Sequence, residues 1–117
     1  FRLKTIKKVD FLQGISKDAM HDILYSLKST YNEKGTLLMK PDDNSNLMYF
    51  VESGCLEIYT LLEGNEFVVE RLYKGSVLNH RSFLQEDSMY VFVRCAKSVT
   101  LLHISTQQLD VIKTAHQ

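Results

Sequence analysis

The sequence lacks the features that mark nucleic-acid-binding, membrane-spanning and secreted proteins. Lysine and arginine number 14, as do aspartate and glutamate, so the formal net charge is zero. A domain without a basic excess is a poor candidate for nucleic-acid binding. No apolar run approaches the roughly 20 residues of a membrane span, and there is no signal-peptide pattern. We therefore expect this segment neither to bind nucleic acid nor to insert directly into a membrane.

Cysteine and proline are scarce, and tryptophan is missing. The two cysteines, Cys55 and Cys95, lie in apolar stretches, so we expect reduced core thiols, with a disulfide as the minor alternative. The single proline, Pro41, marks no linker, and 117 residues suit one domain with one core. Because the chain begins with Phe1 rather than Met, we expect it to be a segment of a longer polypeptide.

Residues that commonly carry catalysis or bind metals are widely spaced. His21, His80, His103 and His116 form no His-X-His pair, which argues against a metal site in a strand-rich fold. There is no glycine-rich loop for a nucleoside triphosphate and no Cys-X-X-Cys motif. We therefore expect neither an enzyme nor a metal site, and we interpret the single histidines as structural.

Helix signals lie near both ends of the chain. Ser16 is a candidate N-cap, with Asp18 in the first turn, where the helix dipole favours a negative charge. Ser105 and Gln108 have the spacing of a capping box. Apolar spacing within residues 1–9 predicts a further short amphipathic helix with a solvated charged face.

Between the helices, short apolar stretches separated by turn residues predict a run of strands. The predicted strands cover residues 36–39, 47–51, 55–62, 67–73, 90–95 and 99–104. This order predicts an α+β domain, an antiparallel β-roll of the double-stranded, jelly-roll-like kind flanked by N- and C-terminal helices. We assign N-terminal helices to residues 1–28, the roll to 30–104 and the C-terminal helix to 105–117.

The stretch LMYFVESGCLEIY, from Leu47 to Tyr59, resembles the strand–turn–strand signature of cyclic nucleotide-binding domains. Gly54 supplies the positive φ that its turn needs. The stretch IKKVDFLQGIS, from Ile6 to Ser16, resembles the start of this domain in voltage-gated cation channels, above all ciliate-type potassium channels. Domains of this family have one more helix, which lids the pocket, and we expect it to be missing or truncated here.

The resemblance implies a phosphate-binding cassette. In the family, backbone N–H groups and an arginine hold the cyclic phosphate, while a glutamate accepts a hydrogen bond from the ribose 2′-hydroxyl. Gly75 aligns with the glycine that opens the segment. The family's Phe-Gly-Glu falls on Leu78, Asn79 and His80, and its arginine falls on Met89. Asn79 is the mild change, because asparagine tolerates a glycine-like positive φ.

These replacements predict weak or absent binding of cAMP or cGMP. Loss of the arginine alone weakens binding by on the order of ten- to a hundredfold. Arg94 is expected to point away from the cassette, which leaves Arg81 as the better substitute or as a solvated surface charge. The candidate nucleotide-binding residues of this degenerate cassette are Gly75, Leu78, Asn79, His80, Arg81, Ser82, Met89 and Tyr90.

Bulky residues in this segment have two interpretations. Met89, Tyr90 and Phe92, the last at the family's Thr or Ser position, are either ordinary core or side chains that fill the pocket. Channels of the ether-à-go-go type have self-occupied domains of the second kind, which do not need nucleotide.

The resemblance also implies a function. It implies a regulatory domain on the cytoplasmic side of a membrane, which modulates gating of a cation (potassium) channel through helices that link it to the pore. The implied partner is the rest of the channel polypeptide, as a homo-oligomer in the full-length protein. No cofactor is implied beyond weakly bound cAMP or cGMP. Two alternatives stay open: a genuine nucleotide sensor with an altered pocket, and a protein-docking domain.

Overall fold

Two helices and eight strands make up the part of the computed structural model that is described, residues 14–40, 46–79 and 91–116. Helix α1 spans Lys17–Ser26 and α2 spans Thr106–Ala115. The strands are β1 (Lys28–Asn32), β2 (Leu37–Met39), β3 (Leu47–Ser53), β4 (Cys55–Leu62), β5 (Asn65–Tyr73), β6 (Val77–Asn79), β7 (Val91–Cys95) and β8 (Val99–Ser105). The predicted helix over residues 1–9 lies outside the described residues.

Both helices begin at the serines that the sequence marks as caps. The hydroxyl oxygen of Ser16 accepts a hydrogen bond from the backbone N–H of Ala19 at 3.1 Å. The hydroxyl oxygen of Ser105 accepts one from the backbone N–H of Gln108 at 3.0 Å. Each bond satisfies a donor that the first helical turn leaves unpaired. The predicted starts of α1 and α2 are therefore confirmed.

The strands form two four-stranded antiparallel sheets. The first sheet has the order β1-β8-β3-β6, and the second has the order β2-β7-β4-β5. Apart from the β4–β5 hairpin, consecutive strands lie in different sheets, so that β3 and β4 are separated although only Gly54 lies between them. The predicted antiparallel roll with flanking helices is confirmed.

Alternate residues of β3 face two separate apolar clusters. Met48 and Phe50 point to the helices, and Tyr49 and Val51 point to the second sheet. The helix-side cluster comprises Ala19, Met20, Ile23, Met48, Phe50, Leu102, Ile104, Leu109 and Ile112. The inter-sheet cluster comprises Met39, Tyr49, Val51, Leu56, Ile58, Leu72, Leu78, Val93, Cys95, Val99 and Leu101. Two-residue periodicity thus gives the first sheet two buried faces.

Two strands depart from the predicted pattern. The roll begins at Lys28 with the edge strand β1, whereas the predicted roll begins at residue 30 and its first predicted strand at residue 36. Strand β6 is another edge strand, and the sequence pattern does not predict it. Strand β1 is exposed along most of its length and so carries no apolar alternation, whereas β6 has only three residues, too few to show a two-residue period.

The two cysteines are free and buried, as expected. Cys95 belongs to the inter-sheet cluster, and burial raises the pKa of its thiol. The register pairs Cys95 with Leu56, the neighbour of Cys55. Because neighbouring residues of a strand point to opposite faces, the two thiols lie on opposite sides of the second sheet.

Candidate functional site

The turn before β6 is hydrogen-bonded to β3. The backbone N–H of Gly75 donates to the carbonyl oxygen of Val51 at 2.9 Å, and the N–H of Val51 donates to the carbonyl oxygen of Ser76 at 2.9 Å. Gly75 has a φ of 93°, in the left-handed region that favours glycine. The predicted glycine of the cassette therefore fixes where β6 starts against β3.

Strand β6 carries the next two predicted residues. Leu78 pairs with Tyr49 and is 1% exposed within the inter-sheet cluster, so it serves as core. Asn79 pairs with Met48 as the last residue of β6. Among the described non-glycine residues, Glu63 alone has a positive φ, so Asn79 does not take the glycine-like conformation that the sequence allowed for it.

The structure thus brings together three of the predicted site residues, Gly75, Leu78 and Asn79, along one edge of the first sheet. The others, His80, Arg81, Ser82, Met89 and Tyr90, lie outside the described residues and stay predictions. The chain between β6 and β7 starts at Asn79 and ends at Val91. Both of these residues lie at the end of the roll opposite the Gly54 turn, so the segment with the predicted cassette residues leaves and rejoins the roll at that end.

Arg94 lies on the outer face of the second sheet. It pairs in register with Glu57, and the alternating neighbours Ile58 and Val93 point into the inter-sheet cluster. Arg94 donates from Nε to Glu57 at 3.1 Å and from Nη1 to Glu66 at 2.8 Å. The hydrogen bond to Glu66, together with the one to Glu57, raises the pKa of Arg94 against the opposing effect of burial.

A stack of aromatic side chains covers the same outer face. The guanidinium carbon of Arg94 lies 4.3 Å from the ring centroid of Tyr59, within the range of a cation–π contact. The rings of Tyr59 and Phe92 stack with centroids 5.2 Å apart and an interplanar angle of 13°. Arg94 therefore points away from the roll interior, and its orientation relative to the predicted cassette stays a prediction. Phe92 lies on this outer face, packed on the buried Tyr59, so the interpretation that it fills a pocket inside the roll is wrong.

Arg71 completes this outer network. Its Nε donates to the second carboxylate oxygen of Glu57 at 3.2 Å. The carboxylate of Glu57 therefore holds Arg71 and Arg94 at once. Within residues 14–40, 46–79 and 91–116, these are the only two arginines, and neither faces the interior of the roll.

Sequence reasoning missed a polar row on the inward face of the first sheet. Lys28, His103 and Tyr49 are register partners on three adjacent strands of that sheet, on the face that Tyr49 shares with the inter-sheet cluster. The alternation of Val99, Leu101 and His103 along β8 is the signal that could have found it, because it places the histidine on the inward face.

Two kinds of feature are absent from the described residues. No three histidine, cysteine or acidic side chains in that part of the chain are grouped so as to hold a metal ion. Neither α1 nor α2 is long and apolar enough to cross a bilayer.

The described residues thus define a roll of two four-stranded antiparallel sheets, with two capped helices packed against the first sheet. Residues 30–115 match the cyclic nucleotide-binding domain family. The chain belongs to this family, whose domains are regulatory rather than catalytic. A comparison with curated proteins finds no significant match.

Solved structures share the fold at low sequence identity. A cyclic nucleotide-binding-like protein from Brucella abortus superposes with a TM-score of 0.81 at 9% identity, over 95% of this chain and 96% of that chain. The regulatory domain of Toxoplasma gondii PKA, crystallised with cAMP, gives 0.79 at 19% identity, over 98% of this chain and 45% of that chain.

A third structure with this fold holds a different ligand. The regulatory subunit of a cAMP-independent protein kinase A from Trypanosoma cruzi, bound to guanosine, gives a TM-score of 0.73 at 15% identity, over 94% of this chain and 39% of that chain. The present chain thus spans less than half the length of both kinase regulatory chains. At these identities the likeness shows the fold alone.

Proposed function

We propose that this chain is a regulatory domain that binds cyclic nucleotides weakly or not at all and performs no catalysis. One observation carries the proposal: the two described arginines, Arg71 and Arg94, are both held by Glu57 on the outer face of the second sheet. A guanidinium fork is the strongest side-chain partner for a phosphate. Neither of these two described arginines can therefore contact a cyclic phosphate inside the roll, and Met89 stands at the family's arginine position in the alignment.

Turning Arg94 inward is not a way to recover that contact. It lies on a strand whose register with Glu57 fixes its face, and a strand residue changes face only if the register slips by one. It would also leave two carboxylates, Glu57 and Glu66, without their shared partner. The alignment that places Met89 at the arginine position agrees with this reasoning.

We further propose that the domain belongs to the cytoplasmic tail of a cation channel, where it shifts a closed–open equilibrium through helices joined to the pore. The sequences from Ile6 to Ser16 and from Leu47 to Tyr59 support this context. The partner is then the rest of the channel polypeptide, as a homo-oligomer. A full-length sequence without hydrophobic spans ahead of this domain would contradict the channel context and leave the binding proposal intact.

Calorimetric titration of the chain with cAMP and cGMP tests the binding proposal. We expect no saturation at micromolar ligand, because the loss of the arginine removes on the order of ten- to a hundredfold in affinity. Adenosine and guanosine belong in the same series, since the Trypanosoma cruzi structure of this fold is bound to guanosine. Saturable micromolar binding of either cyclic nucleotide would overturn the proposal and favour a true sensor with an altered pocket.

Restoring the family residues tests the alignment through the cassette. The double substitution Met89→Arg and His80→Glu supplies the phosphate fork and the ribose acceptor, so we expect cAMP affinity to rise by at least about tenfold. The matched control is Met89→Leu with His80→Gln, which changes the same positions without adding a charge. If both double variants bind alike, the alignment is wrong at these positions.

A further inference from the structure

A row of four side chains crosses the inward face of the first sheet. Lys28 on β1 pairs with His103 on β8, His103 pairs with Tyr49 on β3, and Tyr49 pairs with Leu78 on β6. Tyr49 and Leu78 both belong to the inter-sheet cluster, so the row lies on the face that points into the roll. The ring centroids of Tyr49 and His103 lie 6.0 Å apart.

This row lies at the end of the roll where the cassette is attached. Leu78 in the row is directly followed by Asn79, the last residue of β6. Lys28 is the first residue of β1, and His103 lies two residues before the end of β8. Lys28 is exposed and His103 is half-buried, so the row opens to solvent at β1. Groups in this row therefore face the same end of the roll as Asn79 and Val91, the residues that flank the predicted cassette positions.

The row is basic, and the described strand positions beside it on the same sheet face carry no acidic side chain. Its flanking inward positions are apolar on β8 and β3, at Leu101 and Val51. The ion pairs formed within the described ranges involve other residues, and none of them uses Lys28 or His103. Lys28 is exposed and His103 is half-buried, so both side chains offer N–H donors to a negatively charged ligand at this end of the roll.

We propose that Lys28 and His103 form a cationic pair at this end of the roll that binds the phosphate group of an anionic ligand, in place of the arginine that Met89 replaces. The inference rests on the proposed function, because it supplies the anion contact of a weakly binding regulatory domain. A lysine ammonium acts as a point charge, and each ring nitrogen of a histidine cation donates one hydrogen bond. The pair therefore binds phosphate less tightly than a bidentate guanidinium does. Weak affinity is therefore part of the inference.

The electrostatics of His103 give the pair a measurable response. Burial lowers the pKa of His103, and the positive charge of Lys28 lowers it further. A phosphate bound between the two groups favours the protonated imidazole and opposes both effects. Anion binding is then coupled to proton uptake, so affinity rises as the pH falls through the pKa of His103.

Proton NMR of the His103 imidazole, followed as a function of pH, is the direct test. The titration is run on the chain alone, with cAMP, with inorganic phosphate and with adenosine. We expect both anions to raise the pKa of His103 and adenosine to leave it unchanged. A response to phosphate alone identifies a free-phosphate site, whereas a larger response to cAMP identifies a nucleotide site. If neither anion moves the His103 titration, the inference is overturned.

Matched lysine variants separate this contact from a general charge effect. In Lys28→Met, the anion concentration that half-shifts the His103 titration should rise about tenfold, since the substitution removes one charge-assisted contact. The control Lys97→Met removes the same charge from an exposed position between β7 and β8. An equal loss of anion affinity in Lys28→Met and Lys97→Met would contradict the inference.

The two proposals fail in different ways. Micromolar cAMP binding with an unchanged His103 titration overturns both. Micromolar binding that moves His103 and depends on Lys28 overturns only the weak-binding proposal. Weak or absent cAMP binding with an unresponsive His103 overturns only the inference about the pair.

Discussion

Gly54 shows how a single residue determines the path of the chain between the two sheets. It has a φ of 92°, and a Cβ placed on it would lie 2.3 Å from the carbonyl oxygen of Ser98 and 2.9 Å from the Cα of Val99. Both contacts are with backbone, which cannot rotate out of the way. The turn therefore needs glycine for conformation and for space.

Comparison of two glycines separates these requirements. Gly64, in the turn between β4 and β5, has a φ of 81°, and a Cβ placed on it would meet no atom within 4 Å. Gly64→Ala should therefore lower the free energy of unfolding by about 1 kcal/mol, from strain alone. Gly54→Ala should lower it by more than about 2 kcal/mol, because β8 must also shift. Urea unfolding measures both, and equal losses would show that the close approach at Gly54 has no energetic weight.

At the scale of the element, Glu57 joins three strands of the second sheet. Its carboxylate on β4 accepts from Arg94 on β7 and from Arg71 on β5, and its side chain is 15% exposed. Charge-assisted hydrogen bonds at a half-buried site contribute more than exposed surface pairs do. The network therefore stabilises the register of β5, β4 and β7 on the outer face.

Removing the Glu57 carboxylate should lower the stability of the second sheet. Glu57→Gln keeps the shape of the side chain but leaves two guanidinium groups close together, so we expect a loss of about 1–2 kcal/mol in the free energy of unfolding. Glu70→Gln on exposed β5 is the control, with an expected change within about 0.5 kcal/mol. High salt should reduce the difference in the free energy of unfolding between Glu57→Gln and Glu70→Gln. Identical stability of the two variants would show that the network is not structural.

Local signals predicted the elements well, and long-range contacts limited the prediction of the site. Ser16 and Ser105 start helices through bonds that span three residues, so the sequence itself contains both partners. The sheet face of Phe92 was harder to predict, because it depends on the register with Tyr59, 33 positions earlier in the chain. His103 was discounted as a lone histidine, since its neighbour Lys28 lies on a strand distant in sequence.

At the scale of the whole molecule, the first sheet belongs to both hydrophobic clusters. Ile23 of α1 packs in the helix-side cluster with Phe50 and Leu102, and Leu101 lies in the inter-sheet cluster with Val51. Leu101 and Leu102 are neighbours on β8. Loss of packing in the helix-side cluster is therefore expected to disturb the packing of the inter-sheet cluster as well. The clusters are therefore expected to unfold together, as small domains usually do.

Two cavity-forming substitutions test this coupling. Ile23→Ala and Leu101→Ala should each lower the free energy of unfolding by about 2–5 kcal/mol, since both side chains are fully buried. Helical circular dichroism and amide exchange of β4 should report the same transition midpoint in each variant, although β4 contributes no residue to the helix-side cluster. If Ile23→Ala melts the helices while β4 stays protected, helices and roll are separate units. A domain of that kind could move its helices independently of the roll. Because β3 and β8 contribute to both clusters, we expect instead that a change in one cluster alters the stability of the other cluster.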